Sequence, residues 1–253
     1  MSISVDFTQL RPAAHATWMA IARLVTATDS RTWAVVGGQM VAIHATVAGI
    51  DVPRATDDGD IVVDVRTYTR GALRHVADAL VADGFDSEQS PEGIVRFVRG
   101  EAKIDLLAPD GLGAGPVETG RGRVVQAPGA TQAMKRAETI FVELTGEQFE
   151  VRTPNLLGAI VAKSAAATEV VSATRFDKEK HERDLATLLM CAARDPQLER
   201  MAAVMTKKDR TRLSAGRRAF GDDAHPCWSD GTNRSDLNTV LDVLLGKFEP
   251  VTP

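Results

Sequence analysis

Cysteine is scarce in this chain: Cys191 and Cys227 are its two thiols, in no CxxC spacing. That excludes a disulfide framework and fits a reducing, cytoplasmic setting. Long apolar runs are missing too, and no stretch approaches the roughly 20 residues that a membrane span needs. The start, "MSISVDFTQLRP", lacks a cationic segment followed by an apolar one, so no signal peptide is expected. There is no excess of positive charge: the net charge is −4, and any nucleic-acid contact has to use a local basic patch. Internal repeats and low-complexity segments are also lacking.

What remains is an ordinary globular composition, 44% hydrophobic and 25% charged over 253 residues, enough for one large domain or two small ones. The pattern of elements changes at Pro154. Before it, "PAAHATWMAIARLVTAT" (12–28) is a helix with Pro12 in its first turn, and "TWAVVGG" is a short strand ending in glycines. "QMVAIHATVAG" is a helix that stops at Gly49, and residues 69–83 form another. In "DIVVDV", Ile61, Val63 and Val65 face one way, with Asp58, Asp60 and Asp64 on the other. Strands follow at 93–100 and 102–109, then a glycine-rich loop (110–122) and a hairpin turning at Thr145-Gly146. After Pro154 the segments read as helices. The expected organisation is an α/β (α+β) unit over 1–153 with a small mixed sheet, followed by a helical domain over 154–253.

Three features carry chemistry. A strand ending in Gly37-Gly38 and opening directly into a helix lets backbone N–H groups approach an anion, since no Cβ holds phosphate oxygens away. Asp58 and Asp60, spaced by two on a strand, leave the same face and can share a divalent cation. Asp105 is a lone acid inside the apolar strand "AKIDLLAP", costly there unless paired or liganding. Each alone has a plain structural reading: a glycine turn, a solvated "TDDGD" loop, a paired core acid.

In that order the three resemble the nucleotidyltransferase superfamily typified by DNA polymerase β, whose pattern is a Gly-Gly or Gly-Ser turn, a short helix, then Asp-x-Asp. One departure is Gly59 between the acids, where that pattern has an apolar residue; it is expected to loosen the strand start and bring Asp57 nearer the metals. The helical half, with "GAIVAKSAAATEVVSATRFDKEKHERDLATLL", resembles the AbiEii-like nucleotidyltransferase toxins of bacterial toxin–antitoxin systems. The likeness spans roughly residues 33–190, with gaps. It implies an enzyme in which Asp58, Asp60 and Asp105 hold two Mg²⁺ ions and Gly37, Gly38, Arg54 and Lys163 meet a nucleoside triphosphate. Asp58, Asp60, Lys163 and Asp184 are then its catalytic residues, Asp184 either orienting the lysine or acting on the attacking hydroxyl. It further implies a toxin that transfers nucleotides to an RNA acceptor such as a tRNA 3′ end, with a cognate antitoxin as partner and no membrane.

Two alternatives fit the same residues: modification of a small hydroxylated molecule, as in antibiotic nucleotidyltransferases, or a degenerate fold serving as a binding module, for which Gly59 argues. Candidate RNA-binding cations are Arg175, Lys178, Lys180 and Arg183, together with the run "KKDRTRLSAGRR" (207–218). The plain reading of "DKEKHERD" is a solvated helix face with Lys180 and Asp184 paired at i,i+4 and His181 on the surface. Arg54 and Thr56, which precede the acids, are expected to steady the loop or touch phosphate. His44 is read as a residue that packs or that supports the site from behind, Trp18, Trp33 and Phe141 as core, and Cys191 as buried and inert.

Overall fold

The computed structural model describes residues 3–51, 56–67, 70–89, 95–113, 117–170 and 174–247. Its first half is built on strands. β1 (Ser4–Asp6) and helix α1 (Pro12–Ala27) lead into β2 (Trp33–Val36), which runs without a loop into α2 (Gly37–Val47). β3 (Asp58–Val63), α3 (Arg70–Ala82), β4 (Asp86–Gln89), β5 (Val95–Arg99) and β6 (Ala102–Pro109) follow. A two-residue β7 (Val117–Glu118), β8 (Arg123–Ala127) and α4 (Ala130–Lys135) precede the hairpin of β9 (Ala137–Leu144) and β10 (Glu147–Pro154).

The larger sheet has the order β2-β3-β6-β5-β4, with β8 joining the far end of β6. β3 runs parallel to β6 and antiparallel to β2, so the sheet is mixed. A second sheet, β1-β9-β10, contains the expected hairpin; Thr145 and Gly146 both have positive φ (51° and 81°), as a two-residue turn requires. The molecule is thus a mixed α+β protein whose remaining helices, α5 (Leu156–Glu169), α6 (Arg175–Ala193), α7 (Leu198–Ala203), α8 (Lys207–Gly216) and α9 (Arg234–Leu245), all follow Pro154.

β3 is apolar on both faces beyond its acids. Ile61 and Val63 join a core with Trp18, Ile21 and Leu73 from α1 and α3. Val62, on the opposite face, joins a second core with Ala34, Met40 and, from the helical half, Ile160, Leu185 and Leu241. Trp18 and Trp33 are fully buried, whereas Phe141 is half-buried on β9. Asp64 does not continue the acid face as its spacing suggests: the strand ends at Val63, and the Asp64 carboxylate accepts from the backbone N–H groups of Arg66 and Thr67. β1, β4, β7 and α4 lie where the sequence pattern shows no element; each is at most six residues long, too short to establish a period. Among the described residues no helix is long and apolar enough to cross a membrane.

Candidate functional site

The acids meet because of strand register. Asp60 on β3 lies directly across from Asp105 on β6, and Asp105 lies across from Arg96 on β5, so all three leave the same face of the sheet. Asp58 is two residues before Asp60 on that face, opposite Lys103. This is also the face that carries Val62 further along, so α5 and α6 cover its continuation and the acids lie at its open end.

Arg96 is the cation among them. Its Nε donates to one Asp105 oxygen at 2.7 Å and its Nη2 to the other at 2.8 Å, and Nη2 also lies 3.5 Å from Asp58. A fork of this kind is the strongest ion pair a guanidinium makes. The hydrogen bonds to Asp105 raise the Arg96 pKa further above its ordinary value. Burial, reinforced by neighbouring Asp105, pushes the Asp60 carboxyl up to about 6, against the pull of Lys163 and Lys180.

The glycines make room for the acids. A Cβ on Gly37 would fall 1.7 Å from the Asp60 Oδ2, and one on Gly38 2.8 Å from Thr56. Gly37 has φ +65°, a backbone that also disfavours any side chain. The carboxylate of Asp60 therefore rests against the first residue of α2, the end of a helix that favours negative charge. Gly59 behaves unlike the expectation of a loose strand start. It pairs in register with Ile104, and a Cβ there would come within 2.9 Å of Thr17 on α1. Thr17 pins the two strand starts together: its hydroxyl donates to the Asp57 carbonyl at 2.7 Å and accepts from the Lys103 N–H at 3.2 Å. Asp57 points outward instead, to Arg11 at 2.8 Å.

Behind the acids lies a buried pair. Lys163 Nζ on α5 is 2.7 Å from Asp184 Oδ2 on α6, with side chains 5% and 6% exposed. The two helices are set by side-chain caps: Asn155 accepts from Gly158 N, and Thr174 and Asp177 form a capping box. Asp184 thus engages the lysine 21 residues upstream, and His181 is half-buried rather than on the surface. Arg54 lies outside the described residues.

No protein-family model, curated protein or solved structure matches the chain. Carboxylate oxygens on adjacent strands are the donors a hard divalent cation takes, and a guanidinium already lodged against two of the three shows that the spot accepts positive charge. As it stands, no group of three His, Cys, Asp or Glu side chains among the described residues is arranged around a cation position. Arg96 occupies both oxygens of Asp105. Carboxylate oxygens are the donor type that Mg²⁺ takes, and Arg96 is the cation that stands among them.

The sequence reading missed Arg96, Lys103 and the reach of Lys180. Lys103 carried a signal, standing two residues before Asp105 just as Asp58 stands before Asp60. The basic run over 207–218 divides in two. Arg212 is buried, bound to Glu169 at 2.7 Å and Asp110 at 2.8 Å, and Arg217 is bound to Asp242 at 2.5 Å. Lys207 and Arg218, with Lys247 from beyond α9 and Arg210, whose guanidinium donates to the Leu244 and Ala202 carbonyls, line an open groove of about 580 Å³. Arg183 likewise is committed to Asp230 at 2.6 Å.

One further cluster has the form of a nucleophile, base and acid: Cys227 Sγ is 2.9 Å from His225 Nδ1, whose Nε2 is 3.0 Å from Glu182 Oε2. The thiol is 1% exposed, and burial together with nearby Asp230 pushes it up to about 12. A protonated thiol without access is not a nucleophile; this cluster fastens the turn at 226–228 to α6.

Proposed function

We propose that the protein is a Mg²⁺-dependent nucleotidyltransferase of the polymerase-β-like kind, resembling the AbiEii-like toxins, that transfers a nucleotide from a nucleoside triphosphate to an RNA hydroxyl. The observation that carries this reading is the register: Asp58, Asp60 and Asp105 share one sheet face, with Asp60 seated against the glycine that opens α2. Held by these carboxylates, Mg²⁺ would supply the positive charge that the reacting phosphates and the departing pyrophosphate need.

The chain's own groups do the rest. The Gly37-Gly38 turn, having no side chains, leaves space for phosphate oxygens beside the α2 N-terminus. Lys163 contributes a fixed positive charge behind Asp60, and its 2.7 Å pair with Asp184 supports the orienting role for that aspartate. The acceptor oxygen forms a bond to the α-phosphorus while the bond to the pyrophosphate oxygen breaks; the hydroxyl proton passes to a carboxylate of the cluster. The open groove of Lys207, Arg210, Arg218 and Lys247 offers a track for RNA phosphates.

The test is to incubate the protein with total tRNA, Mg²⁺ and each α-labelled triphosphate, beside Asp60→Asn. Label on RNA with the native chain alone is expected. Loss of both labelling and triphosphate binding in the native chain would sink the reading. The hold of Arg96 on Asp105 favours one second reading, a nucleotide-binding module in which the guanidinium is a permanent substitute for metal; triphosphate binding that ignores Mg²⁺ would select it.

A further inference from the structure

Of the cations near the acids, Lys163 and Arg96 differ in how firmly they are enclosed. Lys163 and Asp184 are 5% and 6% exposed and enclosed between helices. Arg96 is different: its side chain is 26% exposed, its contact to Asp58 is a loose 3.5 Å, and Asp58 itself is 35% exposed. Asp105, 5% exposed at its side chain, is the enclosed end of the contact. A carboxylate so buried is not left without a positive partner, so Arg96 can depart only when another cation takes over its charge.

We propose that Arg96 is the displaceable counter-cation of the cluster: a divalent ion binds by exchanging with its guanidinium at Asp105 and Asp58, and the freed guanidinium stays at the rim of the site. This rests on the nucleotidyltransferase reading and adds to it that metal binding is a competition. The register supports the exchange. Arg96 sits on β5 directly opposite Asp105, so a change of side-chain rotamer withdraws the guanidinium without moving backbone, and the strand pairing that fixes Asp60 against Asp105 is untouched. Competition of this kind lowers the apparent metal affinity by the fraction of molecules whose Asp105 is free. The arginine therefore keeps the metal-free protein folded around its acids at the expense of metal affinity.

The experiment is a Mn²⁺ titration followed by the electron-paramagnetic-resonance signal of the free ion, on the native chain, Arg96→Gln and Arg96→Lys. The thermal midpoint of each is recorded with and without Mn²⁺. Competition predicts that Arg96→Gln binds Mn²⁺ at least tenfold more tightly than the native chain, with Arg96→Lys between them. It also predicts that Arg96→Gln melts lower than the native chain without Mn²⁺ and recovers when Mn²⁺ is added. Unchanged or weaker binding in a cooperatively melting Arg96→Gln would overturn the proposal and make Arg96 a fixed positioning residue for Asp105. Failure of every variant, native chain included, to bind Mn²⁺ would overturn the underlying reading together with the exchange.

Discussion

Individual residues here do work that their types do not announce. Gly37 and Gly49 have nearly the same backbone, φ +65° and +62°, but a Cβ on Gly49 meets nothing within 4 Å while one on Gly37 strikes Asp60. Alanine at either position costs about 1–2 kcal/mol for the left-handed backbone. Only Gly37→Ala is expected to abolish Mn²⁺ binding and nucleotide transfer, because only it displaces the Asp60 carboxylate. Equal Mn²⁺ affinities in the two variants would show that the close approach is incidental. His44 offers a second test at this scale. Buried on α2, its Nε2 lies 2.9 Å from the Pro154 carbonyl, and burial pushes its pKa down from 6.5 to about 4. The unfolded chain therefore binds the extra proton first, so this contribution to stability is complete above pH 6.5 and disappears as the pH falls to about 4. A shift of that size is worth about 3 kcal/mol. His44→Gln should flatten the acid limb of a plot of urea stability against pH; parallel curves for the two proteins would contradict it.

Among elements, α5 and α6 meet at the Lys163–Asp184 pair, which serves both packing and charge. Removing one partner of such a buried pair costs about 3–5 kcal/mol. Lys163→Met should therefore lose that much stability, and Lys163→Met with Asp184→Leu should recover most of it in urea denaturation while nucleotide transfer stays absent. Transfer restored by the double change would mean that the pair is structural alone. This level is also where the sequence was most and least informative. β3, α2 and the hairpin were legible because alternation, a glycine pair and a Thr-Gly turn are local signals. The acid pair and Asp105 stood out as polar residues in apolar strands. Arg96 did not, because its meaning depends on β5 pairing with β6 in one register. The basic run on α8 divides for the same reason: Arg212 turns inward to Glu169 and Asp110, acids distant in sequence. Gly59 read as weakness and proved to be clearance for Thr17.

Across the whole molecule, what α8 leaves outward is a cationic groove on a net-acidic chain. RNA bound there, as the proposed function requires, would release counterions, with a dependence on salt of roughly 0.7–0.9 in log–log slope per phosphate contact. Replacing Lys207, Arg218 and Lys247 by Gln should lower the slope for tRNA by about 2–3 units and weaken binding. A slope that does not change would place the RNA elsewhere. The stretch up to residue 153 does not enclose its own surface either: Ala34, Val36 and Val62 of the sheet are buried under side chains that follow Pro154. Expressed alone, that fragment should bind a hydrophobic dye and lack cooperative unfolding.

That shared core has a consequence for synthesis. A chain emerging from the ribosome completes β3 and β6 early and exposes Asp58, Asp60 and Asp105 before Lys163 and Asp184 exist to back them. The apolar face beside the acids stays bare until the later helices are released and fold over it. The acids are therefore backed by their buried pair only after the chain has passed residue 184.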